Sequence, residues 1–440
     1  MHNRGLIIAA PSSGSGKTVV TLGLLRHLAA LGRDVASAKA GPDYIDPAFH
    51  AAASVRACVN LDPWAMRGDT LNALASGLDT DTVICEGVMG LFDGAFVKAE
   101  GLERDGSTAD LSSRTGWPVV LVIDARAQAA SAAAVLKGFA EYRADVSVAG
   151  VVFNRVGGGR HEDILRQACA QSMPEIPVLG CLPRADGLAL PERHLGLVQA
   201  VEHPDLETFL ETAAGLVAAH VDVDGLLGLA GPLKFDGGDR VSPLLPIGQR
   251  IAVASDEAFA FSYASVIGGW RDAGADIVFF SPLADEAPDE NADAVYLPGG
   301  YPELHGGRLS AALAFQDGLR SRAGAGAAVF GECGGYMVLG RGLVDAEGTR
   351  HAMAGLLGLE TSFAERKLHL GYRRMKALCG NPLGEAGAVF RGHEFHYSAT
   401  LSEDGAPLFE ATDAAGNDLG SFGLADGRVA GSFFHLIDRE

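Results

Sequence analysis

A cysteine enclosed by glycines is the first residue whose setting suggests chemistry. Cys333 lies in Gly331-Glu332-Cys333-Gly334-Gly335, which follows the apolar run AAVF and precedes the helical stretch YMVLG. A nucleophile on a tight strand-to-helix turn has a strained backbone, and flanking glycines remove the clashes that this creates. A helix N-terminus lowers the pKa of a thiol, and the amide after the cysteine can hold an oxyanion. We therefore predict a nucleophile at Cys333 and an oxyanion donor at Gly334.

A cysteine nucleophile requires a base, and His435 is the candidate. It ends the predicted strand RVAGSFFHL in the same half of the chain. A second glycine turn, LPGGYPE at 297–303, suggests the Gly300 amide as the other oxyanion donor. His393 and His396 in RGHEFHYS have neither zinc-protease spacing nor a third ligand, so we expect them at an interface or along a substrate cleft rather than at a metal.

A second set of reactive residues forms a small-residue loop near the N-terminus. It comprises Ser12, Ser13, Gly14, Ser15, Gly16, Lys17 and Thr18. The loop stands between a predicted strand and a predicted helix, where backbone N–H groups can surround phosphate oxygens. We expect Lys17 to reach the β- and γ-phosphates of ATP and Thr18 to offer its hydroxyl to Mg²⁺. Pro11 stands where the usual motif has its first glycine.

Magnesium requires further oxygen ligands. Glu86 ends the predicted strand TVICEG, so its carboxylate should face the nucleotide crevice. Asp43 and Asp46 in KAGPDYIDP are the next candidates, although Pro-Asp and Asp-Pro also favour turns, and the sequence leaves both interpretations open. Asn154 ends GVVFN and is predicted either to hydrogen-bond an adenine edge or to cap a helix.

Two α/β halves are predicted to position these residues. In the first, LIIAA, TVICEG, PVVLVID and VAGVVFN are short runs typical of buried parallel strands, and helical stretches separate them, which predicts a doubly wound sheet. The alternation of strands and helices stops over 222–248, where Gly, Pro and Asp accumulate. A second α/β set begins at RIAVAS. We therefore predict an N-terminal domain at 1–242 and a C-terminal domain at 249–440.

Composition restricts the class of protein and its partners. The 440 residues are 48% hydrophobic and 20% charged, as in ordinary globular proteins, and the formal net charge of −20 argues against nucleic acid or an anionic membrane as a partner. The six cysteines form no CxxC pair, which indicates reduced thiols. No signal peptide or membrane span is evident, so we expect a cytoplasmic protein.

Together these motifs make the chain resemble the cobyrinic acid a,c-diamide synthases, glutamine-dependent amidotransferases of corrin (cobalamin) biosynthesis. The resemblance covers nearly the whole chain. It is carried by SSGSGKT, KAGPDYIDP, CEGVMGLFDG, GSTADLS, DEAFAFSY, LPGGYPELH, ECGGYMVLG and GHEFHYS. It implies a dethiobiotin-synthetase-like, ATP- and corrin-binding domain joined to a class I glutaminase domain.

The resemblance also implies a role for residues of the second half. Cys333 would be the glutaminase nucleophile and His435 its base. Many class I glutaminases carry a glutamate two residues after the histidine, where this chain has Ile437. Asp438 should point in a different direction, so we expect a Cys–His dyad.

In the first half, the resemblance implies that Lys17, Thr18, Asp43 and Glu86 bind ATP and Mg²⁺. ATP would phosphorylate a corrin carboxylate, and ammonia from glutamine would displace the phosphate, at carboxylate c and then at a. Contacts to the macrocycle are expected from the polar residues of neighbouring motifs. These are Lys39, Asp46, Arg104, Ser107 and Thr108.

Alternatives differ in substrate or in class. Another tetrapyrrole acid, such as nickel sirohydrochlorin, would need the same machinery, as would the multi-site amidation of cobyric acid synthases. A partner-binding ATPase switch would carry a lysine where Ser12 stands and would lack a glutaminase half, and an inactive glutaminase fold would not need both Cys333 and His435. The sequence leaves open whether the corrin is metal-free or contains cobalt and whether the chain forms a homodimer.

Overall fold

The computed structural model describes the chain except for residues 1–3, 96–104, 186–187, 189–191, 194–195, 198, 203–204 and 236–240. The chain forms two compact units. The first contains most of the residues up to Asp239, and the second is built on Arg240–Glu440 and also includes Ala65–Thr70. None of the helices within the described ranges has the length and apolar character needed to cross a membrane.

The first unit contains a mainly parallel sheet flanked by helices. The strands of this unit are β1 (Arg4–Ala9), β2 (Val35–Ala40), β3 (Val59–Leu61), β4 (Thr82–Glu86), β5 (Val119–Asp124), β6 (Val148–Val156), β7 (Val178–Pro183), β8 (Glu192–Arg193), β9 (Gly196–Leu197) and β10 (Gly231–Pro232). Of these, β8 and β9 pair with each other in a separate two-stranded sheet. The helices of this unit are α1 (Lys17–Ala30), α2 (Asp46–Ser54), α3 (Gly68–Ser76), α4 (Thr108–Thr115), α5 (Ser131–Glu141), α6 (Gly159–Ser172), α7 (Leu206–His220) and α8 (Val223–Gly228). The predicted doubly wound α/β class is confirmed.

The order of the strands in this sheet brings the nucleotide motifs together. The order is β3-β2-β4-β1-β5-β6-β7, with β10 antiparallel on β1. The central strands are buried on both faces, which explains why they read as continuous apolar runs. Because β1 and β4 are parallel neighbours, with Ile8 opposite Glu86, the loop after β1 and the end of β4 meet at one edge of the sheet.

The second unit contains a ten-stranded mixed sheet and a smaller four-stranded sheet. Its strands are β11 (Arg250–Ala254), β12 (Asp276–Phe280), β13 (Ala294–Leu297), β14 (Ala328–Glu332), β15 (Gly342–Val344), β16 (Arg350–Ala352), β17 (Gly358–Ser362), β18 (His369–Ala377), β19 (Val389–His396), β20 (Ala399–Asp404), β21 (Ala406–Asp413), β22 (Asp418–Asp426), β23 (Val429–Ser432) and β24 (Phe434–Arg439). Its helices are α9 (Ala264–Asp272), α10 (Gly306–Ala311), α11 (Leu313–Gly324) and α12 (Gly334–Leu339).

The large sheet has the order β12-β11-β13-β14-β23-β22-β21-β18-β19-β24, and β15, β16, β17 and β20 form a smaller sheet. Strands β11 to β14 and β23 run parallel, so the turns after β13 and β14 lie at the same edge. Strand β24 returns to pair with β19 and places His393 opposite His435. These connections bring the end of the chain back toward the predicted nucleophile.

Candidate active sites

The loop between β1 and α1 contains two left-handed glycines, Gly14 and Gly16. Gly16 has φ of 92°, and a Cβ on it would lie 2.0 Å from Asn154 Nδ2, so only glycine fits. Asn154 Nδ2 donates to the Ser15 carbonyl (2.9 Å), and Arg155 Nη1 donates to the Gly14 carbonyl (2.8 Å). Asn154 therefore braces the loop, instead of capping a helix. Ser12 and Ser13 remain exposed.

Lys17 and Thr18 point to groups at the end of β4. Lys17 is buried, and its Nζ donates to the Met89 carbonyl (3.1 Å). Burial, with the nearby Lys39, lowers the pKa of Lys17. The Thr18 hydroxyl donates to Glu86 Oε1 (2.7 Å). A hydroxyl and a carboxylate in contact are the hard oxygen ligands that Mg²⁺ prefers, so this pair could hold the ion beside the phosphate loop.

Glu86 is fully buried and is surrounded by cations. Lys39 Nζ lies 3.2 Å from Oε1, and His50 Nε2 lies 2.7 Å from Oε2. Burial alone would raise the pKa of Glu86, but Lys39 and His50 outweigh it and hold that pKa below its ordinary value. The ion-paired carboxylate therefore stays charged.

Sequence reasoning missed His50 and its partner Cys58. Cys58 Sγ lies 3.4 Å from His50 Nδ1. Burial would lower the pKa of His50, but Cys58 and Glu86 outweigh it and raise the pKa to about 10. The one available signal was spacing: His50 follows Asp46 by four residues and so shares a face of α2 with it.

Asp43 lies in the turn before α2, and Asp46 is the first residue of that helix. Asp43 Oδ1 accepts hydrogen bonds from the Ile45 amide (2.8 Å) and the Asp46 amide (3.0 Å). This is the turn chemistry that the sequence left as one of two interpretations. Asp46 is buried, and its Oδ2 lies 2.5 Å from Lys39 Nζ. Asp46 is therefore engaged within the protein in this structure.

Three of the residues predicted to contact the substrate, Lys39, Ser107 and Thr108, are buried in this structure. Lys39 is 3% exposed and is paired with Asp46 and Glu86, so its ammonium does not face solvent, where an acidic ligand would meet it. Ser107 and Thr108 are fully buried. Ser107 Oγ accepts a hydrogen bond from the Asp110 amide and so caps α4. Thr108 Oγ1 bonds both the amide and the carbonyl of Val88 and so ties α4 to the loop after β4. Arg104 lies outside the described residues.

In the second unit, Cys333 forms the turn between β14 and α12. Its φ of 47° and ψ of −107° are strained for a residue with a side chain. The glycines around it are required by close packing: a Cβ on Gly335 would lie 2.0 Å from the Leu297 carbonyl oxygen, and one on Gly334 would lie 2.8 Å from Pro302 Cδ. The strained turn that the glycine pattern predicted is present.

Cys333 and His435 lie close together, against the same glycine turn at Gly299. A Cβ on Gly299 would lie 3.2 Å from His435 Nε2 and 3.3 Å from Cys333 Cβ. Gly300 follows, and its amide nitrogen would lie 3.0 Å from a Cβ on Gly334. The two glycine turns therefore pack against one another beside the thiol and the imidazole.

Burial sets the charge state of this pair. It raises the pKa of the Cys333 thiol above its ordinary value, with Glu303 adding to the effect. Our expectation that the helix N-terminus lowers this pKa is therefore wrong for the ligand-free site, because desolvation outweighs the amide of Gly334. Burial also lowers the pKa of His435 to about 3. The resting pair is a neutral thiol and a neutral imidazole.

Glu332, which sequence reasoning did not single out, supports the strand that carries His435. It is buried, accepts a hydrogen bond from the Tyr296 hydroxyl (2.9 Å), and accepts another from the Leu436 amide (3.2 Å). Burial raises the pKa of Glu332 to about 8. Glu332, which directly precedes Cys333, therefore links β14 to β24.

Asp438 pairs with Arg67 in this structure. Its carboxylate is buried and accepts from Arg67, with Nη2 at 2.8 Å from Oδ1 and the Arg67 amide at 2.7 Å from Oδ2. Ile437 is buried. The geometry is consistent with a dyad.

His369 on β18 lies close to Glu394 and His396, and these three residues are of the types that can bind a metal ion. Atoms of His369, Glu394 and His396 lie within 4.8 Å of one another. However, the two imidazoles stack in parallel, with 4.6 Å between centroids, so their in-plane lone pairs do not converge. Arg373 also pairs with Glu394 (2.7 Å). His396 bonds Glu394 (3.0 Å) within the cluster through one ring nitrogen and Ser398 (2.9 Å) through the other.

Comparisons with known proteins match both units. A family model of the CobQ/CobB/MinD/ParA nucleotide binding domain matches residues 6–198, and a model of the CobB/CobQ-like glutamine amidotransferase domain matches residues 250–440. These matches confirm the two predicted domain types.

Three relatives named hydrogenobyrinate a,c-diamide synthase are similar over almost their whole length. The protein from Brucella anthropi is 54% identical, with 99% of this chain and 98% of the relative covered. The protein from Rhizobium meliloti is 56% identical and 99% of both chains is covered. The protein from Rhodobacter capsulatus is 52% identical, with 99% and 98% covered.

Proposed function

Because this chain belongs to the family of hydrogenobyrinate a,c-diamide synthases, we propose that it amidates the a and c carboxylates of hydrogenobyrinic acid, with ATP and glutamine as co-substrates. The observation that carries the proposal is the coexistence of two complete sets of groups. One is a strained cysteine beside a histidine, and the other is a phosphate loop beside a buried carboxylate. Identity above 50% over the full chain supports the metal-free corrin as the substrate.

The second unit supplies ammonia. His435 is neutral and so can accept the thiol proton of Cys333. The sulfur then attacks the side-chain carbonyl carbon of glutamine, and the backbone amides of Gly300 and Gly334 hold the negative oxygen that forms. His435 returns the proton to the departing ammonia. Water splits the thioester, which releases glutamate and restores the thiol.

The first unit uses that ammonia at an activated carboxyl group. A carboxylate oxygen of the corrin attacks the γ-phosphorus of ATP, which gives an acyl phosphate and ADP. Ammonia attacks the acyl carbon, phosphate leaves, and the nitrogen loses a proton to give the amide. Two such cycles amidate c and a. ATP is needed because a carboxylate is a poor electrophile at neutral pH.

The groups around the loop fit a triphosphate with magnesium. The left-handed Gly16 turns the backbone at the start of α1, and Lys17 lies nearby to neutralise phosphate oxygens. Thr18, Glu86 and Asp43 are the residues that would hold Mg²⁺, whose charge would stabilise the phosphate oxygens during transfer. His50 and Lys39 keep Glu86 ionised and fixed in place.

One experiment separates the two half-reactions. Cys333→Ser should abolish glutamine-driven amidation but retain ammonia-driven, ATP-dependent amidation, whereas Lys17→Ala should abolish both. Products are measured by mass spectrometry with hydrogenobyrinic acid, cobyrinic acid and nickel sirohydrochlorin in parallel. Equal loss with both nitrogen donors in Cys333→Ser contradicts the division of labour. Preference for either metal-containing macrocycle contradicts the proposed substrate.

A further inference from the structure

Met89 has an unusual backbone conformation and an exposed apolar side chain. It has φ of 47°, in the left-handed region that a residue with a side chain seldom adopts, and 56% of it is exposed although it is apolar. It lies in the loop that follows β4, one residue before Gly90. Strain of this kind persists where surrounding contacts impose it, and it is concentrated at functional sites.

The loop around Met89 is held on both sides. Before it, the Gly87 amide donates to the Ile8 carbonyl (2.9 Å), and the Val88 amide donates to Thr108 Oγ1 (2.9 Å). After it, the Leu91 amide donates to the Ala10 carbonyl (2.8 Å). These bonds fix the Met89 backbone against the strand that enters the phosphate loop, while its side chain stays in solvent.

The backbone of Met89 also contacts the residue expected at the transferred phosphate. Its carbonyl accepts from Lys17 Nζ at 3.1 Å. The carboxylate to be activated must reach the γ-phosphate beside Lys17. Because the carboxylates of a corrin hang from the ring on short carbon chains, the ring itself must then lie close to this loop.

We propose that the Met89 side chain is an apolar contact for the ring of the tetrapyrrole substrate. This inference rests on the proposed function. An exposed, flexible and polarisable thioether suits a large apolar ring, and the strained backbone holds the side chain in solvent before the substrate arrives, so less ordering is needed on binding.

The test compares substitutions that keep or remove apolar character at the same backbone. Met89→Gln has a similar length but is polar, and Met89→Leu stays apolar. Burying the exposed half of a methionine contributes roughly a factor of ten in binding. We therefore expect Met89→Gln to raise the KM for hydrogenobyrinic acid about tenfold, with the KM values for ATP and glutamine unchanged, and Met89→Leu to remain near wild type.

Val55→Ala is the matched control. Val55 is also apolar, 79% exposed and left-handed, with φ of 58°, but it lies at the C-terminal end of α2 and not in the loop after β4. Its kinetics should equal those of the wild type. If the wild type does not amidate hydrogenobyrinic acid, the proposed function fails and this inference with it. If the wild type is active but Met89→Gln leaves the macrocycle KM unchanged, or raises the ATP KM equally, the inference alone is overturned.

Discussion

Replacing Gly299 by alanine would place a methyl group against both Cys333 and His435, the proposed nucleophile and base. The added Cβ would lie 2.3 Å from His435 Cε1, 3.2 Å from His435 Nε2 and 3.3 Å from Cys333 Cβ. Carbon atoms in contact prefer about 3.5–4.0 Å, so the imidazole must retreat by more than about 1 Å. His435 is fully buried and has little room to move.

The size of the effect follows from that displacement. A misplacement of about 1 Å at a catalytic group costs on the order of 100-fold in rate. We therefore expect Gly299→Ala to lower the kcat/KM of glutamine hydrolysis by about 100-fold or more. Ammonia-driven amidation should stay within about twofold of wild type, because Gly299 belongs to the glutaminase unit and amidation from ammonia bypasses Cys333.

The assay measures glutamate release and ammonia-driven amide formation on the same preparation, with thermal unfolding as a check of folding. Gly268→Ala is the matched control, since a Cβ on this glycine of α9 would meet no atom within 4 Å. That variant should be fully active and no less stable. Glutamine hydrolysis within threefold of wild type in a folded Gly299→Ala protein would refute the proposed relation between Cys333 and His435.

Three further substitutions test other parts of the structure. Gly16→Ala should abolish amidation with either nitrogen donor, and Asn154→Ala in the same chain should restore part of it, because the new Cβ would lie 2.0 Å from Asn154 Nδ2. Glu332→Gln should flatten the pH dependence of the free energy of unfolding. The raised pKa of Glu332, about 8, makes the wild type lose stability as pH rises from about 4.5 to 8, by at most about 1.4 kcal/mol per pH unit. Asp438→Asn should destabilise the fold by about 1–3 kcal/mol through loss of the Arg67 pair and leave glutamine hydrolysis within about twofold.

Each of these variants has its own readout. For Gly16→Ala, steady-state amidation is compared with Gly14→Ala, which has the same left-handed strain (φ of 77°) but no atom within 4 Å of its Cβ, and equal losses in the two would argue against the clash. For Glu332→Gln, chemical denaturation at pH 5 to 9 is decisive, and an unchanged slope would contradict the raised pKa. For Asp438→Asn, a large fall in glutamine hydrolysis would show that Asp438 orients His435 after all.

The turns and strands could be predicted from the sequence because they depend on the residues at those positions and on their immediate neighbours. The glycines around Cys333 and in the phosphate loop are needed because a side chain would clash or be strained at those positions, so they can be read along the chain. The apolar runs of β1 and β5 indicate buried parallel strands, because a strand covered on both faces needs apolar residues at successive positions. The doubly wound class, the two domain types and the family follow from these patterns.

Contacts between distant segments decided the rest. His50 reaches Glu86 only because β2 and β4 are neighbours in the sheet, and Glu332 reaches Leu436 only because β24 returns to the nucleophile strand. Lys39, which was predicted to contact the substrate, is buried in an ion pair with Asp46. Burial also reversed the expected pKa shift of Cys333. The sequence by itself determined which turns and strands form, because those depend on neighbouring residues. Only the tertiary structure decided which groups meet and how far water is excluded, since both depend on strand order and packing.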